Sequence, residues 1–134
     1  MKKTSYLHVM ALVCFLFTAS MSFARDYIIY SIVQELPMGE ENEVLKKNFY
    51  VNMGSQQGIE SGTTLDVFRV ISRANPYETK KKYNHKVKIG ELEILHSEEH
   101  SSIASLKNYN DDTRAPLFET EALIIGDHVS VQTK

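Results

Sequence analysis

Two histidines and two glutamates stand together in the segment HSEEH, residues 96–100. The spacing H-x-x-E-H is that of the inverted zinc-peptidase motif, in which both histidines bind the metal and the glutamate acts as a base. That chemistry requires a helix, because residues four apart share one face of a helix, and it also requires a third ligand. The first question is therefore whether this segment is helical.

Strand patterns flank the segment on both sides, VKIGELEILHS at residues 87–97 and SSIASLKNY at residues 101–109. Alternation of apolar and polar side chains is typical of half-buried strands, so HSEEH is predicted to be a hairpin connection. Strand residues four apart are separated by roughly 13 Å, too far for both histidines to bind one ion. We expect neither a metal site nor a catalytic site here. The alternative is a small periplasmic metal-binding protein or hydrolase that uses His96, Glu98 or Glu99, and His100.

The first 24 residues have the composition of a secretory signal peptide. Lys2 and Lys3 precede an apolar block, and Ser22-Phe23-Ala24 ends it with small residues. The block is too short to span a bilayer comfortably, and no stop-transfer segment follows. We therefore expect cleavage after Ala24, export to the periplasm or the outer membrane, and no transmembrane span in the mature protein.

Cys14 is the only cysteine in the sequence and lies inside this apolar block. Lipid attachment is the alternative use of a cysteine at such a position. Lipoprotein signals place small residues before the cysteine, however, whereas Leu12 and Val13 precede Cys14. A mature chain without Cys14 has no thiol, which suits an oxidising periplasm and excludes disulfides, thiol catalysis and cysteine-ligated zinc.

The charge pattern argues against nucleic acid as a partner. The net charge is −2, and it becomes −4 when the two N-terminal lysines are removed with the signal. A nucleic-acid-binding domain normally shows a basic excess on one face. The one basic concentration is Lys80, Lys81 and Lys82, in residues 75–86, which are predicted to form a loop or the tip of a long hairpin. The tip is either a solvated loop or a contact to an acidic protein or to phosphates of lipid or cell-wall polymers.

The rest of the chain is predicted to be mainly all-β. Five or six short patterns rich in β-branched and aromatic residues follow one another, at residues 27–36, 49–53, 63–73, 87–97, 101–109 and 127–133. Such a series, without a long amphipathic helix, indicates one antiparallel barrel or sandwich over residues 25–134. Residues 38–48 are predicted to form a loop or a short helical turn, and residues 117–125 are ambiguous. The first strand is apolar on both faces, so it is either buried or available to extend a partner's sheet.

Glycines mark the predicted turns and corners, which are Gly54, Gly58, Gly62, Gly90 and Gly126. Glycine reaches positive φ at little steric cost and is the usual residue at such places. Ile59, inside the GSQQGI turn, is predicted to enter the core. A phosphate-binding loop would need a lysine or the G-x-G-x-x-G spacing before a helix, and neither is present, so no cofactor is expected.

Asp127 and His128 are adjacent, which invites comparison with a catalytic dyad. Neighbouring strand residues point to opposite faces, so we expect a turn aspartate followed by a half-exposed histidine. No serine stands in a G-x-S-x-G elbow either. Ion pairs across strands are expected between the carboxylates of Asp66 and of Glu91 or Glu93 and the cationic side chain of Arg69 or Lys88.

One segment carries a resemblance to a known family. FYVNMGSQQGIESGTTLDVFRV, residues 49–70, resembles a strand, then N-x-G-S-x-x-G-[IV]-x-x-G, then x-x-D-V-[FY]-R. The segments KIGELEIL, SIASL and GDHVSV follow in the same order, so the pattern spans residues 49–131. It is similar to the C-terminal domain of flagellar assembly protein T and to related SH3-like small β-barrel modules of the bacterial envelope.

The resemblance implies a small antiparallel SH3-like barrel with a non-catalytic role. Its expected partners are envelope proteins, among them components of the flagellar motor or basal body. Larger members of that family carry additional N-terminal domains, whereas only residues 25–48 separate the predicted signal from the barrel pattern here.

Overall fold

The computed structural model describes residues 25–78, 80–110, 120 and 122–132. The predicted signal peptide with Cys14, residues 111–116, and residues 117–119 and 121 of the ambiguous segment 117–125 lie outside the described residues. The strands are β1 (Ile29–Gln34), β2 (Lys47–Val51), β3 (Thr64–Ala74), β4 (Lys82–Ser97), β5 (Ser102–Tyr109) and β6 (His128–Val131).

The six strands form one antiparallel sheet in the order β1-β2-β5-β4-β3-β6. Its two outer strands meet, because Ile28 bridges His128 and the Ile29 N–H donates to the Asp127 carbonyl at 2.9 Å. The sheet therefore curls back on itself and is barrel-like. The prediction of a mainly antiparallel all-β fold with five to six strands is confirmed. In the described ranges, helix is limited to the 3-10 turn Ser55–Gln57, and no helix there has the length and apolar character to cross a membrane.

Alternating strand residues fill the core. In β2, Phe49 and Val51 are fully buried while Tyr50 between them is half-buried. Ile59 is also fully buried, as predicted, and enters the core from the turn after β2. Burying an aliphatic or aromatic side chain of this kind stabilises the fold by about 1.5–3 kcal/mol. The remaining buried apolar side chains are Ile29, Met53, Leu65, Val67, Ile89, Leu92, Ile94, Ala104, Leu123 and Val129.

The first strand is buried at its first residue and partly exposed to solvent further along. Ile29 is fully buried, whereas Tyr30 and Val33 are about half exposed. β1 pairs with β2 along one edge, and on its other side only its first residues bond to the segment around β6. Among the described residues, Ser31–Gln34 therefore keep one unpaired edge.

β3 and β4 form a long hairpin. Of the two predictions for residues 75–86, a loop or the tip of a long hairpin, the second is confirmed, because residues 82–86 pair with residues 70–74 and Lys82 begins β4. This part of the hairpin covers no core, and its side chains therefore show no apolar alternation to reveal the strands. The connecting loop is limited to residues 75–81.

Two of the glycines have a different role from the one expected. Gly90 lies inside β4 rather than at a corner, beside the bulge where β3 changes register between Val67 and Phe68. A Cβ at Gly90 would lie 2.8 Å from the Asn108 carbonyl oxygen, so the position needs a glycine for close packing. Gly54 does lie at a turn, but its φ of −143° is extended.

A buried ion pair joins β3 to the segment before β6. The Arg69 Nε and Nη2 atoms each lie 2.8 Å from an Asp127 carboxylate oxygen, and the Asp127 side chain is 3% exposed. Arg69 also donates to the carbonyls of Thr120 and Ala122, and Asp127 accepts from the Ile124 N–H. Of the two cations expected to pair across strands, Lys88 meets Asp66, whereas Arg69 meets Asp127. Asp127 does end a turn, as predicted, because its N–H donates to the Ile124 carbonyl, but its burial against Arg69 was not expected.

We predict that Asp127→Ala lowers the free energy of unfolding by about 3 kcal/mol, because it leaves the Arg69 guanidinium buried without its counter-ion. Urea unfolding followed by circular dichroism measures the change. Glu93→Ala, which removes an exposed carboxylate from β4, is the control and should change stability by less than about 0.5 kcal/mol. Equal losses in the two variants would contradict a structural role for the pair.

Candidate functional site

His96 and Ser97 are the last residues of β4, and Glu98, Glu99 and His100 lie in the turn to β5, so the HSEEH segment belongs to a hairpin connection, as predicted, and is not helical. His96 Nε2 lies 2.7 Å from Glu98 Oε1, whereas His100 Nε2 lies 3.9 Å from Glu99 Oε1. All four side chains are more than 60% exposed. Each histidine thus faces a different glutamate, and the described part of the chain contains no group of three His, Cys, Asp or Glu side chains arranged to hold a metal ion.

The backbone of this turn supports the fold. The N–H groups of Ser55 and Gln56 donate to the carbonyls of Glu98 and Glu99 at 2.8 and 3.2 Å. A Cβ at Gly54 would lie 2.3 Å from the Glu98 carbonyl oxygen, which explains the glycine at an extended position. The carbonyl groups of Glu98 and Glu99 therefore hold the 3-10 turn Ser55–Gln57 in place, while the side chains of His96 and His100 are exposed to solvent.

The end of the β3–β4 hairpin is the most distinctive surface of the molecule. β3 pairs with β6 only as far as Phe68, and β4 pairs with β5 only from Gly90 onward. Beyond those points, residues 70–87 form a two-stranded ribbon that pairs only with itself among the described residues. We call residues 70–87 the basic arm; all but Thr79 are described.

The basic arm carries a concentrated positive charge. It contains five cationic side chains and one glutamate, a net charge of +4 with His85 neutral, whereas the rest of the chain after residue 24 has a net charge of −8. The predicted contact residues Lys80, Lys81 and Lys82 lie at its tip, together with Tyr77, which is 94% exposed. The other two cationic residues are Arg73 and Lys86. The charge of the arm is thus opposite to that of the body.

Only some of these cations have partners within the arm. Lys81 Nζ lies 3.1 Å from Glu78 and 5.3 Å from the Tyr83 ring centroid, and hydrogen bonds to Tyr83 and Glu78 raise the pKa of Lys81 above 10.5. Lys86 Nζ lies 4.3 Å from the ring centroid of Phe68. In the described ranges Lys80 and Lys82 have no carboxylate within ion-pair distance. The unpaired ammonium groups of Lys80 and Lys82, at the same tip as the exposed ring of Tyr77, suit an anionic partner.

A second exposed surface was missed in the sequence. Residues 35–46, which we call the acidic loop, connect β1 to β2 and carry four glutamates and one lysine, a net charge of −3. Leu36, Met38 and Val44 are each more than 80% exposed there. The sequence indicated only a polar loop or a helical turn, because three isolated apolar residues without periodicity give no sign of their exposure.

A third group of charges surrounds a small surface pocket. Lys88 Nζ lies 2.8 Å from Asp66 of β3, which agrees with an expected ion pair across strands, and 2.7 Å from Glu91, three residues on in β4. Asp66 and then Glu91 raise the pKa of Lys88 above 10.5, and Lys88 lowers the pKa of Glu91 below 4.5. The pocket is also lined by Asn108 and Tyr109. Because the three charged groups satisfy each other, they are best explained as a brace between β3 and β4.

Comparison with known proteins adds no assignment. No protein-family model matches the chain, and a search of curated proteins gave no match. The resemblance to the flagellar assembly protein T module stays an expectation that depends on the quoted motifs. The function is therefore inferred from the exposed surfaces of the molecule, above all the basic arm.

The histidines give the first testable prediction for the site. We predict that the double variant His96→Ala, His100→Ala unfolds at the same temperature as the original protein within about 1 °C, because exposed His–Glu pairs contribute little to stability. We also expect added zinc to leave both melting temperatures unchanged. Differential scanning calorimetry makes both comparisons, and a zinc-dependent rise that disappears in the variant would restore the metal-site hypothesis.

The Lys88 brace gives a prediction about pH. Because the pKa of Glu91 is lower in the folded than in the unfolded protein, its contribution is present above about pH 4.5 and is lost as the pH falls through the folded value. Glu91→Gln should cost about 0.5–1 kcal/mol at pH 7, and the two stability curves should converge as the pH falls below the lowered pKa of Glu91 in the folded protein. Urea unfolding between pH 3 and 7 tests this, with Glu93→Gln as the control. A cost that stays constant with pH would contradict the ion-pair explanation.

Proposed function

We propose that the protein is a non-catalytic, exported module of the cell envelope that works by binding other proteins. The observation that carries the proposal is the basic arm, a ribbon with a net charge of +4 on a body with a net charge of −8. Its unpaired lysines and exposed tyrosines are available to an acidic surface. Rim charges of this kind increase the rate and selectivity of association, and aromatic side chains supply contact area.

The compartment and the class of partner come from the sequence. The signal-like first 24 residues support export to the periplasm or the outer membrane, and a chain without a thiol after residue 24 suits that compartment. The ordered motifs of residues 49–131 support a role among envelope assemblies, in flagellated cells the motor or basal body. The unpaired edge of Ser31–Gln34 is a second place where a partner's strand is accommodated.

A cross-linking experiment tests this function. The tagged protein is expressed in its own cells, cross-linked mildly and recovered from detergent-solubilised envelopes, and the captured proteins are identified by mass spectrometry. We expect a reproducible set of envelope proteins with acidic surfaces. The set should be lost when Lys80, Lys81 and Lys82 are replaced by Glu, because the arm would then repel them.

The matched control changes the net charge by the same amount outside the arm. Arg25→Glu, Lys47→Glu and Lys107→Glu lie in the N-terminal segment, β2 and β5, and this variant should keep the partners. Recovery of motor or basal-body proteins would support the flagellar role in particular. Recovery of cell-wall fragments alone, or equal losses in the two variants, would contradict the proposal.

A further inference from the structure

The basic arm and the acidic loop leave the sheet in the same direction. Asn48, next to the acidic loop, lies opposite Ser105 of β5, and Gly90, next to the arm, lies opposite Tyr109. Both therefore leave the sheet towards the end at which β5 terminates, the loop from beside Ser105 and the arm from beside Tyr109. The HSEEH turn, which precedes β5, lies at the opposite end of the sheet. One end of the molecule thus presents a positive and a negative projection side by side.

The two projections are complementary in charge and in apolar character. Their net charges are +4 and −3. The arm exposes Tyr77 and Tyr83, and the loop exposes Leu36, Met38 and Val44. No ion pair within the described residues links the loop to the arm of the same chain, since the loop arises between β1 and β2 and the arm between β3 and β4, with β5 between them. Both surfaces are available to another molecule at once.

Symmetry makes a second copy the simplest molecule that satisfies both surfaces. In a two-fold dimer every contact occurs twice. When a first residue of one copy contacts a second residue of its partner, the second residue of that copy contacts the first residue of the partner. If two copies meet at this end, the arm of each faces the loop of the other, and the favourable contact is made twice. An unrelated acidic partner would use the arm and leave the exposed apolar side chains of the loop in water.

We propose that two copies of this chain form a head-to-head dimer in which the basic arm of each binds the acidic loop of the other. This inference rests on the proposed function in that it names an acidic partner for the same arm. Opposite charges at the contact steer the two copies together and fix their orientation. The tyrosines of the arm and the apolar side chains of the loop then supply the buried area.

A charge-swap experiment tests the dimer. The arm variant is Lys80→Glu, Lys82→Glu, and the loop variant is Glu40→Lys, Glu41→Lys. All four side chains are exposed, and none forms an ion pair within the described part of its own chain, so the substitutions break no such contact. Sedimentation velocity measures the dissociation constant of each purified protein at low and high salt, and circular dichroism confirms that each variant is folded.

We expect the original protein to sediment as a dimer that weakens as salt is raised. Each variant alone should dimerise at least about tenfold more weakly, because the arm variant leaves both arms without net charge and the loop variant gives both loops a net charge of +1 against arms of +4. An equal mixture of the two variants should recover the dimer, since one contact keeps the original arm and loop and the other places the new carboxylates of the arm against the new ammonium groups of the loop. The control Glu98→Lys, Glu99→Lys at the opposite end should dimerise like the original.

Three outcomes would overturn the dimer: a monomeric original protein, variants that dimerise as tightly as the original, or a mixture that fails to associate. The proposed function is tested separately. A monomer that still captures envelope proteins through its arm would remove the dimer and leave the function standing. A dimer that obeys the charge swap while the cross-linking experiment recovers no other protein would remove the function and leave the dimer.

Discussion

The fold depends on the junction at which the first and last strands meet. Asp127 occupies this junction: its carbonyl accepts the Ile29 N–H, and its carboxylate accepts the Ile124 N–H and holds Arg69. Without these bonds the sheet would have two long open edges and a half-covered apolar face. One residue thus connects β1, through its backbone carbonyl, with β3 and the segment before β6, through its carboxylate. These three parts of the chain are remote in sequence.

The parts of this fold that could be predicted are those that leave a local pattern. The alternation in β2, β4 and β5 predicted strands, and the polar cluster between β4 and β5 predicted a turn, because each strand covers the core with every second side chain. The outer halves of β3 and β4 left no such pattern, since no core lies beneath them. Arg69 and Asp127 are 58 positions apart, and nothing local indicates which carboxylate an arginine will meet once the sheet has closed.

The candidate site shows the same division. The lysine cluster of the arm was visible as composition, whereas the hydrophobic exposure of the acidic loop became visible only with the fold. Of the two histidines that first suggested chemistry, His96 lies at the end of β4 and His100 in the turn after it. Residue types and spacing alone could not show that they face different glutamates. Gly54 and Gly90 were both predicted to be turn or corner glycines, but each is required because the backbone of another segment passes too close to leave room for a Cβ. A single sequence does not distinguish a glycine that forms a turn from a glycine that allows such close packing.

The ribbon that forms the basic arm is mechanically separate from the barrel. Its cross-strand bonds from Val70 to Ala74 and from Lys82 to Lys86 involve no other strand, and its side chains contribute little to the buried core. Segments of this kind open locally at a free energy well below that of global unfolding. Adding or removing one residue in each of its two strands would change its reach by about 3.3 Å without altering a core contact. The length of the arm is thus a dimension that evolution can adjust independently of the stability of the domain.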